Sequence, residues 1–302
     1  MSPILRLSCA ILTLAAVPAA GSIGWPPRCA AADWADSRTI GPFVCRADFP
    51  LQGLEGLLGE LVQLQADLTR HLRIPRPAEP IELYLLHDEQ TYAQYLNRYF
   101  PNVPYRRALY VKGEGPGMVF AHRGPQFEVD LRHECTHALL HAVLPEVPLW
   151  LDEGLAVYFE VPARQRAFDH PHLENLRRSA RLGIVPPLES LERKANLAEV
   201  TGAEYAYAWA WVHFMLHASA AAHEELVAYL ADMRKGAPPG QLSARLRRRL
   251  DDPAKRLAVH LQTWHRSAST EVSPLPMGEG QGVRATAYLN RQDSARKPRP
   301  SP

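Results

Sequence analysis

The residues best suited to chemistry form the sequence His133-Glu134-Cys135-Thr136-His137, an HExxH pattern on a predicted helix. Helical residues four apart differ in direction by only about 40°, so the two imidazoles can share one metal ion. Glu134 lies one residue along, where its carboxylate can reach water beside that ion. The pattern indicates metal-assisted hydrolysis, although two histidines on an ordinary amphipathic helix would have the same spacing.

A third candidate ligand follows in the segment Trp150-Leu-Asp-Glu-Gly-Leu-Ala-Val-Tyr158, which contains Glu153. A catalytic zinc site uses three protein ligands and leaves one position open. Pro145 and Pro148 should end the first helix and turn the chain, so that a second helix folds back with Glu153 facing the imidazoles. Gly154 beside this carboxylate would permit close helix packing.

Together, these two motifs resemble the peptidase-MA-like group within the gluzincin clan of zinc metallopeptidases. The resemblance extends over about residues 43–267 in element order, with its specific motifs at 131–160 and, more weakly, at 205–216. It implies a zincin-like fold and one Zn²⁺ held by His133, His137 and Glu153. It also implies that Glu134 is the general base in peptide hydrolysis.

Two related classes fit less well. A metzincin requires glycine and histidine where this chain has Leu140 and Val143, so that class is rejected. The clan's aminopeptidases share the Trp-Leu-x-Glu-Gly pattern, but this chain is much shorter and has no evident Gly-x-Met-Glu-Asn segment. We therefore do not infer exopeptidase activity.

The resemblance implies two further features. The segment Tyr205-x-x-x-Trp209-x-x-x-His213 is similar to a later helix of the family, which makes Tyr205 a candidate catalytic donor to a developing oxyanion. A core helix rich in aromatic residues is the alternative. An edge strand near the active-site helix, placed at Gly117–Ala121, would pair with an extended peptide.

Residues near the motif have more than one possible role. His141 lies one turn beyond His137, and we expect it to support a ligand or to pack rather than to bind the metal. Asp130 and Asp152 are both candidates to orient the ligand imidazoles, and the sequence does not distinguish them. We expect Cys135 to be a buried thiol facing away from the metal.

The remaining pattern predicts an α+β fold, with a small N-terminal mixed sheet, an active-site helix and a mainly helical C-terminal subdomain. The stretch 161–196 contains four prolines and is predicted to be irregular, with His170 and His172 in a surface loop. The predicted helices are 51–72, 88–100, 127–143, 150–160, 203–217, 222–234 and 252–266, and the predicted strands are 81–86, 107–112 and 117–121.

The termini predict export. Residues 1–20 resemble a signal peptide, 21–42 form an N-terminal segment, 43–267 form the metallopeptidase domain, and 268–302 form a disordered tail. We expect a periplasmic or extracellular protein without stable membrane insertion, although an uncleaved anchor is an alternative. In an oxidising compartment Cys29 and Cys45 could form a disulfide, a pairing that the sequence leaves open.

Composition adds one exclusion. Lysine and arginine number 34 against 32 acidic residues, a balance that gives no reason to expect nucleic acid as a partner. The sequence therefore predicts a zinc endopeptidase acting on a peptide or protein substrate. Two alternatives stay open, an inactive zinc- or substrate-binding envelope protein of the same fold and a structural protein with a fortuitous HExxH pattern.

Overall fold

The computed structural model describes residues 12–13, 34–113 and 115–265. Its N-terminal half forms a mixed β-sheet with two helices, and its C-terminal half is mainly helical. The strands are β1 (Leu12–Thr13), β2 (Asp36–Ile40), β3 (Phe43–Ala47), β4 (Ile81–Leu86), β5 (Ala108–Lys112) and β6 (Met118–His122). The helices of the first half are α1 (Glu55–Leu72) and α2 (Glu89–Tyr99). The α+β class predicted from the sequence is confirmed.

The second half begins with the pair that carries the HExxH and Glu153 motifs. These are α3 (Phe127–His141) and α4 (Leu149–Phe159). The helices that follow are α5 (Ala163–Arg166), α6 (Leu173–Arg181), α7 (Leu188–Glu192), α8 (Gly202–His217), α9 (Ala220–Arg234), α10 (Leu242–Arg249) and α11 (Pro253–Thr263).

The five longer strands form a sheet in the order β5-β6-β4-β3-β2, and the two-residue β1 extends it beside β5. Strands β3, β4 and β6 run parallel to one another, β2 is antiparallel to β3, and β5 is antiparallel to β6 and parallel to β1. Strand β6 is therefore central, hydrogen-bonded to β4 on one side and to β5 on the other. The prediction that Gly117–Ala121 is an edge strand was wrong, because β5 pairs along its outer side.

Alternation along the strands gives the sheet two apolar faces. On β4, Leu83 and Leu85 belong to the main core beneath α1 and α3, whereas Tyr84 and Leu86 face a smaller cluster beneath α2. Helix α2 begins as predicted at Asp88, whose carboxylate accepts a hydrogen bond from the backbone N–H of Thr91 at 2.7 Å. The sheet is thus covered on both faces, and α3 lies against its main-core face.

Helix α4 is buried between α3 and α8. Its closest approach to α8 is at Gly154, where an added Cβ would lie 2.8 Å from the backbone oxygen of Ala208. Since no side chain other than hydrogen fits at that distance, the glycine is required by the packing. The close packing predicted from Gly154 is therefore confirmed, and α8 acts as a support for the helix that carries Glu153.

Two further sequence predictions need correction, and two elements were not predicted. The stretch 161–196 was predicted to be irregular, but it contains α5, α6 and α7. His170 was predicted on the surface, yet it is buried, stacked on Trp209 at 4.5 Å between ring centroids. The hairpin of β2 and β3 and the helix α10 were not predicted. Strand β2 of this hairpin lies within residues 21–42, the stretch predicted to be an N-terminal segment.

Other predictions fall on residues that the structure does not describe. Apart from β1, the predicted signal peptide lies outside the described residues, as do Cys29 and the predicted tail at 268–302. Cys45 is a free thiol buried in the core on β3. Among the described helices, none is long and apolar enough to cross a membrane.

Candidate metal centre

Helices α3 and α4 run antiparallel and bring the three predicted ligands together. Pro148 lies immediately before α4, and the chain between the helices contains Pro145, as the turn prediction required. Ligand atoms of His133, His137 and Glu153 all lie within 4.8 Å of one another, and all three residues are buried. The group could therefore hold one metal ion.

The contacts within this group leave its inward atoms without hydrogen bonds. The carboxylate of Glu153 lies 3.5 Å from Nε2 of His133 and 3.9 Å from Nε2 of His137. Among the described residues, neither of these nitrogens nor either Glu153 oxygen has a hydrogen-bond partner. A buried polar atom without a hydrogen bond destabilises the folded protein. A metal ion bound between these four atoms would give each of them a partner. Two imidazoles and one carboxylate are a ligand set that zinc takes in catalytic sites.

The outward nitrogens of both imidazoles are held by carboxylates from α4 and from the residue that caps its C-terminal end. Nδ1 of His133 lies 3.0 Å from Oε2 of Glu160, and Nδ1 of His137 lies 3.0 Å from Oδ1 of Asp152. Each carboxylate accepts the Nδ1 proton, which leaves Nε2 with its lone pair directed inward. Asp152 is thus the orienting residue that the sequence left unassigned, whereas Asp130 pairs with Arg107.

Glu160 was not singled out as a site residue, although a sequence signal existed. It follows Glu153 by two helical turns, so both project from nearly the same side of α4. Arg132 strengthens this end of the site, since its guanidinium donates to the backbone oxygen of Glu160 at 3.3 Å and to Glu60 of α1 at 2.8 Å. The residue before His133 therefore connects α3 to α1 and to the end of α4.

Charged neighbours shift the pKa values of the buried histidines and carboxylates at the site. Burial by itself lowers the pKa of His133, but its contacts with Glu153 and Glu160 outweigh burial and raise that pKa well above the ordinary value. Burial likewise opposes ionisation of Asp152, yet the neighbouring His137 and His141 hold the pKa of its carboxyl well below the usual range. A metal ion must therefore compete with a proton for His133.

His141 does not belong to the ligand group. Its Nε2 lies 2.9 Å from Oδ2 of Asp152, the oxygen that His137 does not contact. The supporting role expected for this histidine is consistent with that position. Lys112 of β5 donates to the backbone oxygen of His141 and so connects the end of α3 to the sheet.

Glu134 and Cys135 occupy the middle of α3. Glu134 is completely buried, between the two histidines in sequence, and its role as a base stays a prediction. Cys135 is a buried free thiol in the main core, as expected. Burial raises its pKa well above the ordinary value, so it is not a reactive thiolate.

Helix α8 carries the later family-like segment. Trp209 is fully buried against His170, and Nε2 of His213 donates to the backbone oxygen of Ala167 at 2.9 Å, so both residues have structural roles. Tyr205 is buried near the start of the same helix, and its assignment as an oxyanion donor stays a prediction. Tyr207 donates its hydroxyl proton to the backbone oxygen of Ile184 at 2.8 Å.

The fold and site thus define an α+β protein with a buried His-His-Glu group suited to a metal ion. Residues 129–239 match a family model described as "Protein of unknown function (DUF1570)". The matched range includes nearly all of α3 and the whole of α4 and α8. None of the curated proteins compared matches the chain.

Proposed function

We propose that this protein is a zinc-dependent hydrolase, and specifically an endopeptidase of the gluzincin type. The observation that carries the proposal is the buried group of His133, His137 and Glu153, with the outward nitrogens of both histidines held by carboxylates. The ligand set supports zinc as the metal, and the peptidase class rests on the resemblance of the two motifs.

A zinc ion bound there would polarise a substrate carbonyl and lower the pKa of neighbouring water to about 7. The protein's own residues supply the rest. Glu134 follows His133 on α3, and its carboxylate oxygen takes the proton from the attacking water and passes it to the leaving amine. Glu160 and Asp152 keep the imidazoles oriented while this happens. Tyr205 is the proposed hydroxyl donor to the oxyanion.

The proposal includes the setting in which the enzyme works. We propose export through the segment 1–20, a periplasmic or extracellular location, and a peptide or protein as substrate, with no nucleic acid partner. The near balance of 34 basic and 32 acidic residues supports the last point.

The test compares the full chain with Glu134→Gln and a matched control. Zinc content is measured first, and cleavage of a mixed peptide library is then followed by mass spectrometry. We expect one equivalent of zinc in all three proteins and loss of cleavage only in Glu134→Gln. The control is Glu128→Gln, the same change on the same helix at a residue that pairs with Arg132.

Two results would contradict the proposal in different ways. An unmodified protein that binds zinc but cleaves no peptide would favour a zinc- or substrate-binding protein of this fold. An unmodified protein that binds no zinc would contradict both the zinc hydrolase and the zinc-binding protein.

A further inference from the structure

Asp152 of α4 contacts two histidines of α3 at once. Its Oδ1 lies 3.0 Å from Nδ1 of His137, and its Oδ2 lies 2.9 Å from Nε2 of His141. The two histidines are four residues apart, so their side chains follow each other along one side of the helix. One fully buried carboxylate therefore has each of its oxygens occupied by a different imidazole.

His141 restricts the rotation of the Asp152 carboxylate. With His137 as the only partner, one oxygen of Asp152 would be buried without a hydrogen bond from any described residue, and the carboxylate plane could rotate about its last side-chain bond. The proton that His141 donates from Nε2 satisfies that oxygen and fixes the plane. A fixed plane also fixes the direction in which Oδ1 receives the proton of His137.

His141 is itself held on two sides by β5. Its ring lies against Tyr110, with the ring centroids 5.9 Å apart and the planes at 22°. Its backbone oxygen accepts a hydrogen bond from Lys112. The contacts thus form a continuous connection from strand β5 of the sheet, through His141 and Asp152, to the candidate ligand His137.

We propose that His141 is a positioning residue of the metal centre, which acts through Asp152 to fix the tautomer and orientation of His137. In this role His141 does not bind the metal itself. It connects the ligand His137, through Asp152, to strand β5 of the sheet. This inference rests on the metal centre of the proposed function, and it does not depend on peptide hydrolysis.

The test uses the full chain and reads out the metal. His141→Phe keeps a ring against Tyr110 but removes the donor to Asp152, and His141→Gln restores a donor on a side chain without the ring. His223→Phe is the matched control, since it changes a partly buried histidine that contacts the backbone oxygen of His71 at 2.6 Å. The measurements are the Zn²⁺ dissociation constant by chelator competition and the visible absorption spectrum of the Co²⁺-loaded protein.

We expect His141→Phe to bind Zn²⁺ about 10-fold to 100-fold more weakly, the loss found when partners of ligating histidines are removed. Its Co²⁺ bands should shift, His141→Gln should recover part of the affinity, and His223→Phe should match the unmodified protein. If His141→Phe does not fold, as judged by circular dichroism, His141→Leu replaces it in the same comparison.

Unchanged affinity and an unchanged Co²⁺ spectrum in a folded His141→Phe or His141→Leu protein would overturn the inference. So would an unmodified protein that binds neither metal. An unmodified protein that binds zinc without cleaving peptides would contradict the proposed peptidase activity, and the comparison of metal affinities would still decide the role of His141.

Discussion

The carboxylate of Glu160 lies 3.0 Å from Nδ1 of His133, at the opposite end of α4 from Asp152. Because α3 and α4 are antiparallel, the start of one helix faces the end of the other, and each ligand imidazole finds its own carboxylate. Helix α4 and its C-cap residue Glu160 therefore supply the third candidate ligand and both orienting carboxylates. The position of this one helix determines the geometry of the whole site.

Removal of the Glu160 carboxylate should weaken metal binding without removing a ligand. In Glu160→Ala the Nδ1 proton of His133 loses its acceptor, so we expect zinc affinity to fall about 10-fold to 100-fold. Chelator competition measures the change. Glu128→Ala is the control, because its carboxylate contacts Arg132 rather than an imidazole. Equal affinities in the two variants would show that Glu160 does not support His133.

The sequence predicted the site better than its surroundings, because the site depends on local geometry. The direction of His133 and His137 follows from helical spacing, and the return of α4 follows from Pro145 and Pro148. The third ligand needed the additional information of the family resemblance. These signals lie within one pair of adjacent helices, where short-range rules apply.

The wrong predictions concern contacts between distant parts of the chain. Whether Met118–His122 is central or at an edge depends on which strands flank it, and no local pattern specifies that order. His170 is buried because Trp209, from a helix further along the chain, stacks on its ring. The prolines near His170 correctly indicated breaks, but the short helices between them are fixed by packing.

Tyr205→Phe tests the oxyanion assignment by removing one hydroxyl group. If Tyr205 donates to the oxyanion, kcat should fall about 100-fold to 1000-fold with little change in KM or zinc content. Tyr207→Phe is the control on the same helix. It loses a hydrogen bond to the backbone of Ile184, so we expect a stability loss of about 1 kcal/mol and no change in kcat. An unchanged kcat in Tyr205→Phe would remove that residue from the catalytic set.

Gly154→Ala tests the packing that holds α4 in place. The new Cβ would meet the backbone oxygen of Ala208 at 2.8 Å and a methyl carbon of Val212 at 3.0 Å, so α4 and α8 must separate. Such overpacking costs about 1–3 kcal/mol, and improved helix propensity returns at most about 1 kcal/mol. We expect lower stability in urea unfolding and also weaker zinc binding, because Glu153 moves with the helix.

The control for this substitution is Gly59→Ala. Gly59 lies inside α1 with no atom within 4 Å of its added Cβ. The same change should therefore stabilise the protein by about 0.5–1 kcal/mol. A similar effect of both substitutions would mean that the contact between α4 and α8 is not tight.

A cluster of buried histidines joins α8 to α11 and should make stability depend on pH. Nε2 of His260 lies 2.9 Å from Nδ1 of His213, whose other nitrogen donates to the backbone of Ala167, so Nδ1 accepts the proton of His260 and the His213 ring is neutral. Burial lowers the pKa of His260 to about 4 and that of His217 to about 3. Burial also lowers the pKa of His213 well below its ordinary value.

The direction of the effect follows from proton uptake on unfolding. Below the ordinary value of 6.5, the unfolded chain protonates these histidines while the folded protein does not. Unfolding then takes up protons, so the free energy of unfolding decreases as pH falls from about 6.5 towards 4. Each histidine adds a slope of up to about 1.4 kcal/mol per pH unit.

His260→Gln removes one of these titrations and keeps an amide donor for His213. Urea unfolding of the metal-free protein between pH 6.5 and about 4.5 should show a slope that is smaller by about 1.4 kcal/mol per pH unit. His260→Asn should show the same reduced slope even if its stability at neutral pH differs, because neither amide titrates. Parallel pH profiles for the unmodified protein and both variants would mean that His260 is protonated equally in the folded and unfolded states, and that its burial does not exclude the charge.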